Sequence, residues 1–190
     1  MIVKVGDLFE ITLSDNLRAI GHYVFKDDKN GMFIQVFDYL ARKEEIKIED
    51  AVKRPYMFPP VMTGLRAAVR AGLWPVIGKK PVIDFIYPKF ISAFWNEKTG
   101  EVITWFLYDD WKYFKLGPVL PEEYKKLEFL VVWSPFDVID RVETGIITFP
   151  YGEMIKNNKY TPLAPGDSDL LLEEFKKGKF VFNNMGKRKR

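Results

Sequence analysis

Hydrophobic and polar residues follow a two-residue period through the first forty positions. Leu8-Phe9-Glu10-Ile11-Thr12-Leu13 alternates as a half-buried strand does. The polar stretch Ser14-Asp15-Asn16 predicts a turn, and Ala19 to Phe25 a second strand, in which Gly21 marks a bulge or a close backbone approach. Asp27-Asp28-Lys29-Asn30-Gly31 is a hairpin signal, because Asn-Gly supplies positive φ angles for a tight turn. Met32 to Tyr39 then returns as the paired strand. Three strands joined by short turns make an antiparallel meander.

The pattern fades between Ala41 and Pro60. Glu44 to Asp50 is rich in charge, and Pro55, Pro59 and Pro60 impose an extended, irregular path. Thr63 is placed to cap a helix over Gly64–Ala71, with Leu65, Ala68 and Val69 facing inward and Gly72 as its stop. A second hairpin is predicted from Phe85–Trp95 and Glu101–Tyr108 around the polar turn Asn96-Glu97-Lys98-Thr99-Gly100. Leu127 to Trp133 is almost wholly apolar, the pattern of a central strand. Ser134-Pro135-Phe136-Asp137 opens a helix with a capping serine, a preorganised proline and an aspartate beside free N–H groups; Gly145 closes it. Ile146 to Phe149 reads as one more strand. A last helix is expected from a Ser168 cap to Gly178, with Leu170, Leu171, Leu172 and Phe175 as its buried stripe. The fold class is therefore β-rich α+β: mainly antiparallel sheet, or a partly closed barrel, with peripheral helices. Residues 1–182 form one expected domain, and 183–190 a basic, flexible tail.

Composition sharpens this. The chain has 190 residues, no cysteine and one histidine. Disulfides, thiol catalysis and iron–sulfur clusters are excluded, as is any metal site that needs two imidazoles. The formal net charge of +3 misleads, because Lys187-Arg188-Lys189-Arg190 alone supplies +4. Without those four, 25 basic residues face 26 acidic ones. A nucleic-acid binder normally carries its basic patch on the folded body, so nucleic acid is not the expected partner. The start of the chain has no signal-peptide core, and no apolar run approaches the roughly 20 residues that span a bilayer. A soluble, cytoplasmic protein with no membrane partner is expected.

Candidate chemistry is sparse. His22 sits in a predicted strand, where a lone histidine is more often structural than a general base. The adjacent acidic pairs Asp27-Asp28, Glu44-Glu45, Glu122-Glu123 and Glu173-Glu174 belong to turns, connectors and helix surfaces. Asp109-Asp110 stands apart, since it ends an aromatic strand and precedes Trp111-Lys112-Tyr113-Phe114. Acids among exposed aromatics make a protein-binding hot spot, whereas a strand ending in a polar turn above core aromatics accounts for the same residues. Neither a phosphate-binding glycine loop nor a nucleophile-elbow motif is present.

The order of several short motifs resembles the immunity protein 26 family. These are Gly6-Asp7-Leu8-Phe9, Gly21 before an aromatic-aliphatic strand, Phe37-Asp38, Trp74-Pro75-Val76-Ile77-Gly78 with Pro81, and Pro88-Lys89-Phe90 ahead of the tryptophan-bearing hairpin. The similarity extends over Val3 to about Val142. It implies a bacterial immunity protein that binds and neutralises a cognate toxin. The family's grouping with a HocA-type phosphotriesterase implies a second reading, a small metal-dependent hydrolase, which would gain if Asp84, Asp109 or Asp110 converged with His22 on a pocket. A third reading is a nucleic-acid-associated β-barrel protein that uses the basic tail. The first is preferred: partner binding through Phe94, Trp95, Asp109, Asp110, Trp111 and Tyr113, with a protein toxin as partner. No catalytic residue, cofactor or metal ligand is assigned.

Overall fold

A computed structural model describes residues 2–13, 16–28 and 31–162. Among the described residues, ten strands form two sheets. The first runs in the order β10-β4-β3-β2-β1-β5, with β1 Asp7–Thr12, β2 Leu17–Asp27, β3 Gly31–Arg42, β4 Val61–Thr63, β5 Val76–Lys79 and β10 Val132–Trp133. The second runs β8-β7-β6-β9, with β6 Phe90–Trp95, β7 Val102–Asp109, β8 Lys112–Gly117 and β9 Glu128–Phe129. Pairing is antiparallel except for β10 on β4 and β9 on β6. Among the described residues the sheets stay separate and no barrel closes. The described residues include four short α-helices: α1 Ile48–Ala51, α2 Leu65–Arg70, α3 Pro135–Thr144 and α4 Tyr151–Asn157. None of the described helices is long and apolar enough to cross a membrane.

The β1–β2–β3 meander follows the alternation in the sequence, and its glycine has a specific cause. Phe9 pairs with Gly21 across β1 and β2. A Cβ at Gly21 would lie 2.2 Å from the Phe9 ring, which is itself stacked on buried Trp74 at 5.2 Å. The ladder between β2 and β3 also slips between Ala19 and Gly21. Both the bulge and the close approach are therefore present.

The core draws on both sheets. Phe9, Ile11, Tyr23, Ile34 and Val36 from the first sheet share one buried cluster with Ile91, Val102 and Trp105 from the second. Unlike half-buried strands, β2 and β3 are covered on their outer face too. Leu8, Ile20, Phe37 and Ala51 form one outer cluster, and Val24, Phe33, Met62, Phe90 and Tyr108 another. Residues 46–56 and 77–87 supply that cover, which is why the irregular, proline-rich stretch folds back instead of trailing into solvent.

Several expectations are corrected. Leu127–Trp133 is not one central strand: it divides into β9 and β10, two residues each, which join the edges of different sheets. Phe129 and Trp133 are buried where the segment bridges the sheets, whereas Val132 is exposed. Ile146–Phe149 forms no strand but an irregular approach to the cis Phe149–Pro150 bond and α4, which the pattern missed. Thr63 does not cap α2. It lies in β4, its hydroxyl donates to the Trp133 carbonyl at 2.9 Å, and Gly64 takes the N-cap position without a side-chain bond. The strand predicted from Phe85 begins at Phe90, while β4 and β5 were hidden in stretches without alternation. The capping box of Ser134 and Asp137 forms as expected, and Gly145 terminates α3 in the left-handed conformation. The Ser168–Gly178 helix, the basic tail and parts of the two predicted turns (residues 14–15 and 29–30) lie outside the described residues.

Candidate functional site

Between the two outer clusters the apolar cover of β2 and β3 gives way to polar residues. His22 and Gln35 are paired across β2 and β3, and Leu8 pairs with His22 from β1. Above this row opens a groove of about 420 Å³, lined by Gln35, Tyr56, Pro60 and the run Lys80–Ile86. Strand β3 provides the floor, the segment after α1 provides Tyr56, and the loop that leaves β5 provides the far wall.

His22 is fully buried, and its two nitrogens have different tasks. Nε2 lies 2.9 Å from the Lys80 carbonyl, which can only accept, so this nitrogen carries the proton. Nδ1 then accepts from the Tyr56 hydroxyl at 2.8 Å. Burial, opposed by the bond to Lys80 and aided by the Lys80 charge, holds the imidazole pKa below its usual value. Burial likewise pushes the Tyr56 hydroxyl up. Both shifts favour the neutral pair and oppose proton transfer from tyrosine to histidine. The dyad thus fastens two walls of the groove to its floor. Lys80 adds a further tie, its Nζ donating to the Val52 carbonyl at 2.9 Å above the Phe37 ring.

The far wall is the more exposed. Ile83 and Ile86 are 78% and 81% solvent-accessible, and Asp84 between them adopts a positive φ of 55°. Such a turn holds both isoleucines outward. Inward of them, Phe85 stacks on Phe25 at 4.7 Å. Tyr87 follows, with its hydroxyl donating to Asp27 at 3.2 Å and its ring 4.7 Å from that of Trp111. Trp111, 46% accessible, occupies the two-residue turn between β7 and β8, where it and Asp110 both have positive φ. An apolar ridge therefore runs from the groove, through Phe85 and Tyr87, to Trp111 in the β7–β8 turn.

The six residues expected to bind a partner fall into two groups. Asp109, Asp110, Trp111 and Tyr113 come together at this turn, with Asp109 paired to Lys89 at 2.5 Å and Tyr113 packed 4.9 Å from Tyr108. Phe94 and Trp95 lie at the opposite end of the second sheet and on opposite faces of β6. Phe94 is exposed, whereas Trp95 packs on the core and stacks on Tyr160 at 4.5 Å. Asp109 ends β7, and Asp110 with Trp111 forms the turn into β8. Sequence reasoning missed Ile83 and Ile86. Their signal was two isoleucines in a proline-flanked segment of the kind that seldom forms an element.

His22 does not converge with Asp84, Asp109 or Asp110. Tyr56 and the Lys80 backbone separate it from the groove that Asp84 lines, and Asp109 and Asp110 belong to the other sheet. Among the described residues, no three His, Asp or Glu side chains form a cluster able to hold a metal ion.

The described residues thus form a β-rich α+β framework with an apolar ridge beside a polar-floored groove. Residues 4–96 match the family model of immunity protein 26. The match is narrower than the expected 3–142. It takes in β1 to β6, and with them the His22–Tyr56 pair, the groove and its isoleucine wall, but ends before the β7–β8 turn. It concerns an immunity protein and carries no phosphotriesterase grouping. No curated protein and no solved structure matches the chain.

Proposed function

We propose that this chain is a member of the immunity protein 26 family and neutralises a cognate toxin by direct protein–protein binding. The observation that carries the reading is the ridge from Ile83 and Ile86 through Tyr87 to Trp111. Ile83, Ile86 and Trp111 are exposed, and the half-buried rings of Phe85 and Tyr87, 6.5 Å apart, lie between them. Exposed apolar patches of this kind mark interaction sites, and a tryptophan is a frequent energetic anchor in them. The similarity of residues 4–96 to immunity proteins supplies the kind of partner.

The test has two stages. The tagged full chain is used to capture a partner from cells of its source, and the captured protein is then expressed in a heterologous host with and without this chain. Toxicity that the chain abolishes, with near-equal stoichiometry in the purified complex, is the expected result. Trp111→Ala should weaken the complex by about thirtyfold, the effect of losing about 2 kcal/mol at a hot spot. A partner whose activity in the host is unchanged by this chain would refute the proposal.

A further inference from the structure

β8 ends the second sheet, and the main chain along its outer side has no strand beside it among the described residues. Of the four strands that end the two sheets, β9 and β10 have two residues and β5 has four, whereas β8 has six. Its first four residues, Lys112 to Lys115, are all exposed, with Tyr113 at 59% and Phe114 at 48%. The turn geometry fixes which backbone groups point outward. A two-residue loop with positive φ at Asp110 and Trp111 makes Asp109 and Lys112 the closing hydrogen-bonded pair. Hydrogen-bonded and non-bonded pairs then alternate, so Leu107 and Phe114 bond to each other. The N–H and C=O groups of Tyr113 and Lys115 consequently face away from β7.

We infer that this edge receives an extended segment of the partner protein as an added strand, and that the segment carries acidic residues opposite Lys112 and Lys115. The inference rests on the proposed immunity role and specifies how the partner is held. An open edge offers main-chain hydrogen bonds, while side-chain pairing selects the sequence. Each face of β8 presents one aromatic ring and one lysine: Tyr113 with Lys115, and Phe114 with Lys112. An antiparallel strand reading acid-apolar-apolar-acid matches all four positions. A second copy of this chain does not, because β8 contains two lysines and no acid. Self-pairing would set four lysines along one seam, and like charges across strands are destabilising.

Amide exchange followed by NMR on the full chain tests this directly. In the free protein the Tyr113 and Lys115 amides should exchange rapidly and the Phe114 amide slowly. The probe is a synthetic peptide, Thr-Glu-Val-Phe-Glu-Thr, compared with the same peptide bearing lysine in place of glutamate. The acidic peptide should slow exchange at Tyr113 and Lys115, and the lysine peptide should bind about tenfold more weakly. Lys115→Pro removes an outward N–H that β7 does not use, and it should abolish the protection. Should that variant fail to fold, Lys112→Glu with Lys115→Glu should reverse the preference between the peptides. Protection of both amides in the free chain, self-association through β8, or equal response to both peptides would overturn the inference. If Lys115→Pro still neutralises a captured toxin with full affinity, strand addition is wrong while the immunity role stands.

Discussion

His22 offers a sharp connection between fold and groove. Replacing it with leucine conserves size but deprives two groups of partners, the Tyr56 hydroxyl and the Lys80 carbonyl. A buried polar group left unpaired costs about 1–3 kcal/mol. The Lys80 carbonyl bonds directly to the fully buried ring, whereas Tyr56 is half-buried at the groove and can recover a bond to water. The expected loss for His22→Leu is therefore about 2–4 kcal/mol, and for Tyr56→Phe about 1 kcal/mol. The double variant should cost about 1 kcal/mol less than the sum, because Tyr56 no longer has a hydroxyl to strand.

The histidine also sets a pH signature. Its folded pKa lies below the unfolded value near 6.5, chiefly because burial penalises the charged ring. Between the two values the unfolded chain binds more protons, so stability rises with pH. The contribution is complete above about 6.5 and is lost as pH falls toward the folded pKa, with a slope of at most about 1.4 kcal/mol per unit. His22 is the only histidine, so the difference between urea denaturation curves of the native chain and His22→Leu, measured from pH 5 to 8, isolates it. A variant that loses less than about 0.5 kcal/mol, or that keeps the native slope between pH 5.5 and 6.5, would refute both the tautomer and the role given to the dyad.

Other expectations follow from single contacts. Gly21→Ala places a methyl group in the Phe9 ring and should cost about 2–3 kcal/mol in chemical denaturation, and a smaller amount when combined with Phe9→Leu. Arg141→Met leaves Glu128 charged and buried without its partner. The loss should be about 3–5 kcal/mol by thermal or urea unfolding, and less once Glu128→Gln is added. Burial already raises the Glu128 pKa against the pull of Arg141, so removing the arginine should raise it further, visible as a higher carboxyl titration midpoint by NMR. Ser134→Ala breaks the capping box of α3 and should cost about 1 kcal/mol.

The sequence by itself determined the features that depend on neighbours in the chain. Alternation specified the β1–β2–β3 meander, Asn96–Gly100 the second hairpin, and Ser134-Pro135 with Gly145 the limits of α3. It also singled out Gly21 as a position of close approach, because only a residue without Cβ suits such a site. Tertiary structure decided whatever depends on partners distant in sequence. β4, β5, β9 and β10 are two to four residues long, too short to show a period, and exist because a neighbouring strand offers hydrogen bonds. Tyr56 and Lys80 meet His22 from 34 and 58 positions away, a closure no local pattern encodes. The residues expected to bind a partner were divided for the same reason. The aromatics of Phe94–Phe114 look alike in sequence, but the pleat turns Trp95 into the core and leaves Phe94 and Tyr113 in solvent. The sheet then places Trp111 beside Tyr87, joining the β7–β8 turn to the groove through contacts between distant segments.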